Sequence, residues 1–286
     1  MFVRADRLLI ESNLAVKSDH VVSFYWDDFV PHLEVYVTAE GRLTEFDLSS
    51  LDVFVSESRR CIGRFDHDGY HPCPNNAIVR HFFQCRACAS SWIPVQECIF
   101  EPRCKGERCD CDFCRRAHVV YAAFTGDAAK IGMTSEFRLR TRGIEQGADA
   151  IAPLVDCENR MKARDLEKRI SRDLGLKQSV SSVKISKWLA TPASVDEIKR
   201  SHRNLVERLK RLRIDVRDEI EILDGYPVKE VPKSPPRLVR TSGAHFGEVI
   251  CMKGKFLVYR EKTSGSPMML EVADLPSRFS GRIPRK

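Results

Sequence analysis

The chain has 286 residues, 43% of them apolar and 30% charged, a composition typical of folded domains rather than of a disordered chain. Its net charge is +7, and it holds no run of about 18 apolar residues, so no membrane-spanning helix and no membrane partner is expected. Arg4, Asp6 and Arg7 interrupt the opening ten residues, which therefore lack a signal-peptide core, and a cytoplasmic location is expected.

The charge is unevenly placed. Residues 1–58 carry four basic and eleven acidic side chains, whereas residues 118–214 carry twenty basic and twelve acidic ones. A basic middle points to a polyanionic partner, nucleic acid and first of all DNA. The length suits about two domains, and composition shifts divide the chain into five segments: 1–58, 59–117, 118–190, 191–227 and 228–286.

Residues 1–58 alternate as strands do. Leu33, Val35 and Val37 point one way, Ala39–Arg42 make a turn, and Phe46 and Leu48 resume the pattern. This acidic, β-rich segment reads as a structural or partner-facing module. Residues 59–117 are cysteine-rich. Of eleven cysteines in the chain, nine lie between Cys61 and Cys114, and in a chain without a secretory signal such clustering reads as metal ligation rather than disulfides. The pair Cys85 and Cys88 has the two-residue spacing that lets both thiolates of one turn reach a single tetrahedral Zn²⁺. Cys61 and Cys73 are its expected mates, each beside a residue suited to a tight turn (Gly63, Pro74). The second group is Cys98, Cys104, Cys109, Cys111 and Cys114. Five thiols serve four ligand positions there, Cys98, Cys104 and Cys114 with either Cys109 or Cys111, and His118 is in reserve. Two structural zinc sites are expected, although four thiolates also suit an iron–sulfur cluster. Cys157 and Cys251, in apolar surroundings, read as buried small hydrophobes.

Residues 118–134 predict two strands, Val119–Phe124 and Ala129–Thr134, joined at Gly126-Asp127. A helix follows with Thr134 or Ser135 as its cap, carries Arg138, Arg140 and Arg142, and stops at Gly147. Ala150–Val155 is a third strand. The next helix spans about Asn159–Leu174 with Ala163, Leu166, Ile170 and Leu174 as its apolar stripe, and its spacing puts Glu167 on or beside that stripe, where a carboxylate must be paired, protonated or cation-bound. Residues 194–216 predict a helix opened by a capping box at Ser194 and Glu197. Its apolar stripe runs through Ile198, Leu205, Leu209, Leu212 and Val216, and its other face is basic. Residues 228–240, with three prolines, read as a linker. A hairpin over Val249–Tyr259 and a strand at Met268–Val272 follow, and the last dozen residues are expected to fray.

The hairpin, the arginine-bearing helix and the glutamate-bearing helix together resemble the GIY-YIG nuclease superfamily, in its divergent Lys-Ile-Gly form. Val119-Val120-Tyr121 resembles the first motif and Lys130-Ile131-Gly132 the second. Arg140 falls at the family arginine by count from Gly132, and Ala163–Ile170 resembles the family's glutamate helix. The whole layout also resembles an uncharacterised prokaryotic family known only as a domain of unknown function. The nuclease resemblance implies an α+β fold, a small three-stranded antiparallel sheet with helices, here preceded by the zinc-binding module and flanked by β-rich ends. It also implies metal-dependent phosphodiester hydrolysis. Tyr121 would act as general base or orient the attacking water, with Lys130 supplying a nearby positive charge. Arg140 would hold the scissile phosphate, Gly132 would leave room for a phosphate near the backbone, and Glu167 would ligate Mg²⁺ or Mn²⁺. Two other expectations stand beside it: a zinc-containing nucleic-acid-binding protein without catalysis, and a zinc-stabilised protein-interaction module.

Overall fold

The computed structural model describes residues 19–89, 98, 101–108, 110–176 and 180–282. They divide into two compact units. The first runs to Ser90 and takes up the chain again at Val228–Pro232 and from Pro236 onward; the second holds Ser91–Pro227 with Lys233–Pro235. The fold is α+β with mostly β content, a few helices, and a cysteine cluster.

The first unit opens with β1 (Asp19–Asp27), β2 (Val30–Val37), β3 (Arg42–Glu45) and β4 (Ser50–Arg59). β1 and β2 pair antiparallel, as do β2 and β3. Alternation works as expected at Leu33 and Val35, which are buried, while Glu34 and Tyr36 between them are half-buried. A small hairpin, β5 (Arg64–Asp66) and β6 (Gly69–His71), stands apart from this sheet.

The second unit contains α1 (Asp112–Arg115), β7 (His118–Thr125) and β8 (Ala128–Thr134), then a single 3-10 turn at Glu136–Arg138 leading into α2 (Leu139–Gln146). β9 (Ala150–Cys157), α3 (Arg160–Asp173), α4 (Ser182–Ala190), α5 (Val195–Arg211) and β10 (Glu221–Ile222) follow. Gly147 stops α2 in the left-handed conformation, φ +68°, as its place at the end of the pattern predicts. Asn159 caps α3 by accepting from the Lys162 amide at 2.9 Å, and Ser194 and Glu197 form the expected capping box on α5. α5 is shorter than its periodicity suggests. Arg213 takes a left-handed φ of +56° and the Ile214 amide folds back to the Leu209 carbonyl, so Val216 lies beyond the helix.

The sheet of this unit has four strands in the order β10-β9-β7-β8, not the three expected. The chain leaving α5 runs back along β9, where the Leu223 amide donates to the Asp149 carbonyl at 2.8 Å. A two-residue strand has no alternation by which the sequence could announce it. One face of the sheet, with Val120, Ala122, Phe124, Ile131, Ala152 and Leu154, packs against Ala163 and Ile170 of α3 and Ile198, Leu205 and Leu209 of α5. The other face carries Tyr121, Gly132 and Ile151, and α2 lies over it: a Cβ on Gly143 would come within 3.1 Å of the Ile151 side chain.

The chain then returns to the first unit through β11 (Arg237–Leu238), β12 (Gly243–Lys253), β13 (Phe256–Glu261), β14 (Pro267–Glu271) and β15 (Arg278–Arg282). The strand order is β11-β14-β13-β12-β4-β15-β1-β2-β3, a mixed sheet of nine strands in which β11 and β14 are the parallel pair. Two expectations change here. The proline-rich stretch at 228–240 is tied down, with Lys229 N–H on the Ile250 carbonyl at 2.8 Å. The C-terminal stretch is not frayed over its described part: β15 sits between β4 and β1 and pairs with both. Its polar composition hides this, because ladder bonds need no apolar side chain. Arg278 donates to the carbonyls of Ser56 and Glu57 and to Asp274 Oδ2, and Phe279 stacks on His20. Val21, Leu33, Leu51, Val53, Leu257 and Leu270 line a shared apolar interior. Among the described residues, no helix is long and apolar enough to cross a membrane.

Removing residues 277–286 deletes the strand that joins the two halves of the nine-stranded sheet. The truncated chain is expected to lose cooperative thermal unfolding of this sheet, followed by circular dichroism. A melt within about 3 °C of the full chain, equivalent to well under ~1 kcal/mol, would show that β15 is dispensable.

Candidate functional site

Two places gather chemistry-bearing side chains. The first is the thiol cluster that hangs from the end of β4. Cys61, Cys73, Cys85 and Cys88 bring their sulfurs within 4.8 Å of one another, and the Cys73 and Cys85 sulfurs are 3.9 Å apart. Four thiolates at ~2.3 Å from one tetrahedral Zn²⁺ lie ~3.8 Å from each other, so this group is placed to hold a metal ion such as zinc. Two local structures make the cluster. Cys61-Ile62-Gly63 is a knuckle: Gly63 has φ +79°, and a Cβ there would meet the His71 carbonyl oxygen at 2.1 Å. Its amide approaches Cys61 Sγ at 3.4 Å, and the Cys85 amide does so at 3.2 Å. Cys85–Cys88 is a tight turn, closed by the Cys88 and Ala89 amides on the Cys85 carbonyl. Burial pushes the Cys61 and Cys88 thiols up. At Cys73 burial also pushes up, but the Ala77 and Asn75 amides and the neighbouring thiols outweigh it and hold the group down to about 7. Four thiols this close cannot all ionise without a cation among them.

The second thiol group lies in the other unit. Cys98, Cys104, Cys111 and Cys114 are all buried; Cys109 lies outside the described residues. No three of the described donors of this group stand within 4.8 Å of one another. Its backbone nonetheless repeats the first site. Cys104-Lys105-Gly106 is again a knuckle, with Gly106 at φ +104° and its amide 3.4 Å from Cys104 Sγ. Cys111–Cys114 is again a tight turn, closed by the Cys114 and Arg115 amides on the Cys111 carbonyl. The Cys111 amide donates to the Gly106 carbonyl at 3.1 Å, which joins knuckle to turn. His118, the reserve ligand, is buried, and its Nδ1 faces the Arg116 carbonyl at 2.9 Å. Of the two remaining cysteines, Cys251 is buried in β12 as expected and Cys157 is half-buried.

The residues singled out for catalysis all lie in the second unit. Tyr121 on β7 is opposite Gly132 on β8 and is 1% exposed. Its ring lies directly over Gly132, where a Cβ would come within 2.6 Å of Cζ and of the hydroxyl. The space above Gly132 is therefore taken by the phenol ring. The hydroxyl accepts from Gln146 Nε2 at 2.6 Å and is hydrogen-bonded by Arg142, both on α2. Burial raises its pKa, against the downward pull of the Arg142 charge and of the two hydrogen bonds; the Glu167 charge adds to the rise. The phenol is thus neutral and protonated at pH 7. Glu167 on α3 is 7% exposed between Ala163 and Ile170, on the stripe as its spacing predicts. It is paired: Arg164 Nη1 donates to Oε2 at 2.7 Å.

Arg140 is not in this group. Its guanidinium pairs with Glu221 on β10. Lys130 is half-buried on β8, opposite Ala123 and two residues from Gly132. The cation that acts on the phenol is Arg142, exposed enough to reach solvent and held by Glu145 at 2.8 Å. Counting along the chain cannot separate Arg138, Arg140 and Arg142, because residues two apart on a helix point about 200° apart. A signal was present nonetheless: Arg142 and Gln146 are four apart and share a helix face.

Two outcomes check this geometry. Gly132→Ala forces the Tyr121 ring aside and is expected to cost about 1–3 kcal/mol in denaturant unfolding; a change below about 0.5 kcal/mol would mean the ring has room. For the thiol cluster, Cys61→Ser is expected to remove one equivalent of zinc by elemental analysis and to lower the melting temperature. An unchanged metal content in this variant would show that Cys61 holds no metal.

No curated protein and no solved structure matches the chain. The match that does exist spans both thiol groups, the Tyr121 sheet and most of the nine-stranded sheet: residues 50–272 fit the family model described as "Protein of unknown function (DUF2797)", and the chain belongs to that family.

Proposed function

We propose that residues 118–176 form a phosphodiester-hydrolysing site of GIY-YIG type acting on nucleic acid, DNA first, within a protein that carries two zinc sites. The observation that carries this reading is the meeting, on one small sheet, of a phenol, an exposed guanidinium and a buried carboxylate. They come from β7, α2 and α3, and the carboxylate's charge is felt at the phenol.

Each residue has a role that its surroundings support. Tyr121 receives hydrogen bonds from Gln146 and Arg142 and stays protonated, so it acts as a donor that orients the attacking water or a phosphate oxygen, not as a base. Arg142, in place of Arg140, faces the phosphate and offsets its developing charge. Gln146 holds the phenol in register. Glu167 would hold the divalent cation. A hard cation on one carboxylate and substrate phosphate is the usual Mg²⁺ arrangement, and a single carboxylate near a phosphate-facing arginine fits it. Such a cation, when bound, supplies charge stabilisation to the phosphate. Lys199, Arg200, Arg203, Lys210 and Arg211 on α5 are exposed and suit phosphate contacts along the duplex. Arg208 is committed elsewhere, to the Leu174 carbonyl at 2.9 Å.

The zinc of the first unit takes Cys61, Cys73, Cys85 and Cys88. A second zinc takes Cys98, Cys104 and Cys114 with Cys109 or Cys111, supported by the repeated knuckle and turn. One observation favours a second reading, a protein that only grips nucleic acid: the pairing of Glu167 with Arg164 competes with a catalytic cation.

The test uses the full chain with plasmid and branched oligonucleotides, with Mg²⁺ or Mn²⁺ and with chelator. Metal-dependent cleavage is expected. Glu167→Gln should abolish it and leave binding intact, Arg142→Ala should slow it about 10²–10³-fold, and Arg140→Ala should change it little. Salt-steep binding with no cleavage under any condition overturns the enzyme reading in favour of the binder; neither binding nor cleavage overturns both.

A further inference from the structure

Helix α3 meets the second thiol segment along three successive turns. At its first turn Arg160 is 4% exposed. Its Nη1 donates to the Cys98 carbonyl at 2.6 Å and lies 3.7 Å from Cys114 Sγ. Its guanidinium carbon sits 5.4 Å from the centre of the Phe113 ring, inside the Cys111–Cys114 turn. One turn on, Arg164 Nε donates to Glu101 at 3.1 Å, and a further turn on, Lys168 pairs with the same carboxylate. Glu101 is three residues past Cys98. Arg164 is also the residue that holds Glu167. The spacing i, i+4, i+8 keeps all three cations on one side of α3, while Ala163, Glu167 and Ile170 face the sheet.

We infer that the second thiol site is a metal-dependent brace for α3, with Arg160 as the positioning residue that couples metal occupancy to the placement of Glu167. This rests on the second zinc proposed above. A buried guanidinium is costly unless a negative charge faces it. Neutral thiols supply none. Four thiolates on one Zn²⁺ carry a net charge of about −2, and this charge would sit against Arg160. Metal loading also stiffens the segment from Cys98 to Cys114, which fixes Glu101 and, through Arg164, the carboxylate of Glu167. Without metal the segment loses its closure, Arg160 loses its counter-charge, and the first turns of α3 are expected to open. The first thiol site offers no such contact to α3 and serves as an internal control.

The experiment combines zinc analysis with hydrogen–deuterium exchange of the peptide spanning α3 in the full-length protein. The wild type should hold two zinc ions. Cys104→Ser should hold one, with amide exchange in the first half of α3 accelerated by about ten-fold or more. Cys61→Ser should also hold one, with α3 exchange unchanged. Arg160→Met should keep both ions yet show the same accelerated exchange, and Arg160→Lys should restore protection in part, because it keeps the charge but not the fork. If Cys104→Ser retains two zinc ions, the second metal site is wrong and the brace falls with it. If it loses one ion while α3 exchange stays as in the wild type, the second zinc stands and the brace alone is overturned. Equal acceleration in Cys61→Ser would show a global loss of stability and would likewise overturn the brace.

Discussion

Glu167 can occupy a buried position only because α3 is held from two sides. Toward the sheet, Ala163 and Ile170 are fully buried on either side of it, and an ionised carboxylate in such a place is strongly disfavoured unless a cation meets it. Away from the sheet, Arg160, Arg164 and Lys168 engage the cysteine-rich segment. Arg164 belongs to both sides, since it bonds Glu101 and Glu167 together. The apolar stripe sets the rotation of the helix about its axis, and the row of cations sets its lean against the thiol segment.

The same economy of contacts explains the phenol. In a sheet, residues directly opposite share a face, so Tyr121 must share one with Gly132. Gly132 is glycine because the ring lies on it, with no room for even a methyl group. That leaves the hydroxyl reaching toward α2, where Gln146 and Arg142 meet it. The left-handed Gly147 ends α2 one residue past Gln146, so the amide that meets the phenol comes from the last residue of the helix. The cysteine sites show a related rule. In both, a glycine of positive φ lets an amide turn back on a cysteine sulfur, and a two-spaced turn supplies two more sulfurs. A repeated local solution in two separate units is what one metal chemistry would select.

Membership in a family of unknown function leaves the chemistry to be argued from the site itself, since fold and family likeness alone do not establish activity. Here the site argues with some force about roles. A buried, protonated phenol with two donors on its oxygen is a poor base and a good donor. An exposed arginine beside it is a better partner for phosphate than one already committed to Glu221.

The sequence alone determined the pieces that depend on local order. The period-2 alternation of β1–β4 and β7–β9, the capping box of α5, the stripe of α3 with Glu167 on it, and the first thiol set are all legible, because helical and strand periodicity and ligand spacing are properties of neighbours along the chain. What only the tertiary structure decided is pairing between distant segments. Whether Arg140 or Arg142 faces the phenol depends on where β10 lies, because Glu221 draws Arg140 away. That Arg160 meets Cys98 and Cys114 depends on the docking of a segment some 50–60 residues earlier. That polar Arg278–Arg282 forms a central strand depends on two edges, β4 and β1, left open by the first part of the chain. In each case the deciding partner is remote in sequence, and backbone hydrogen bonds and long side chains leave no periodic mark by which it could be read.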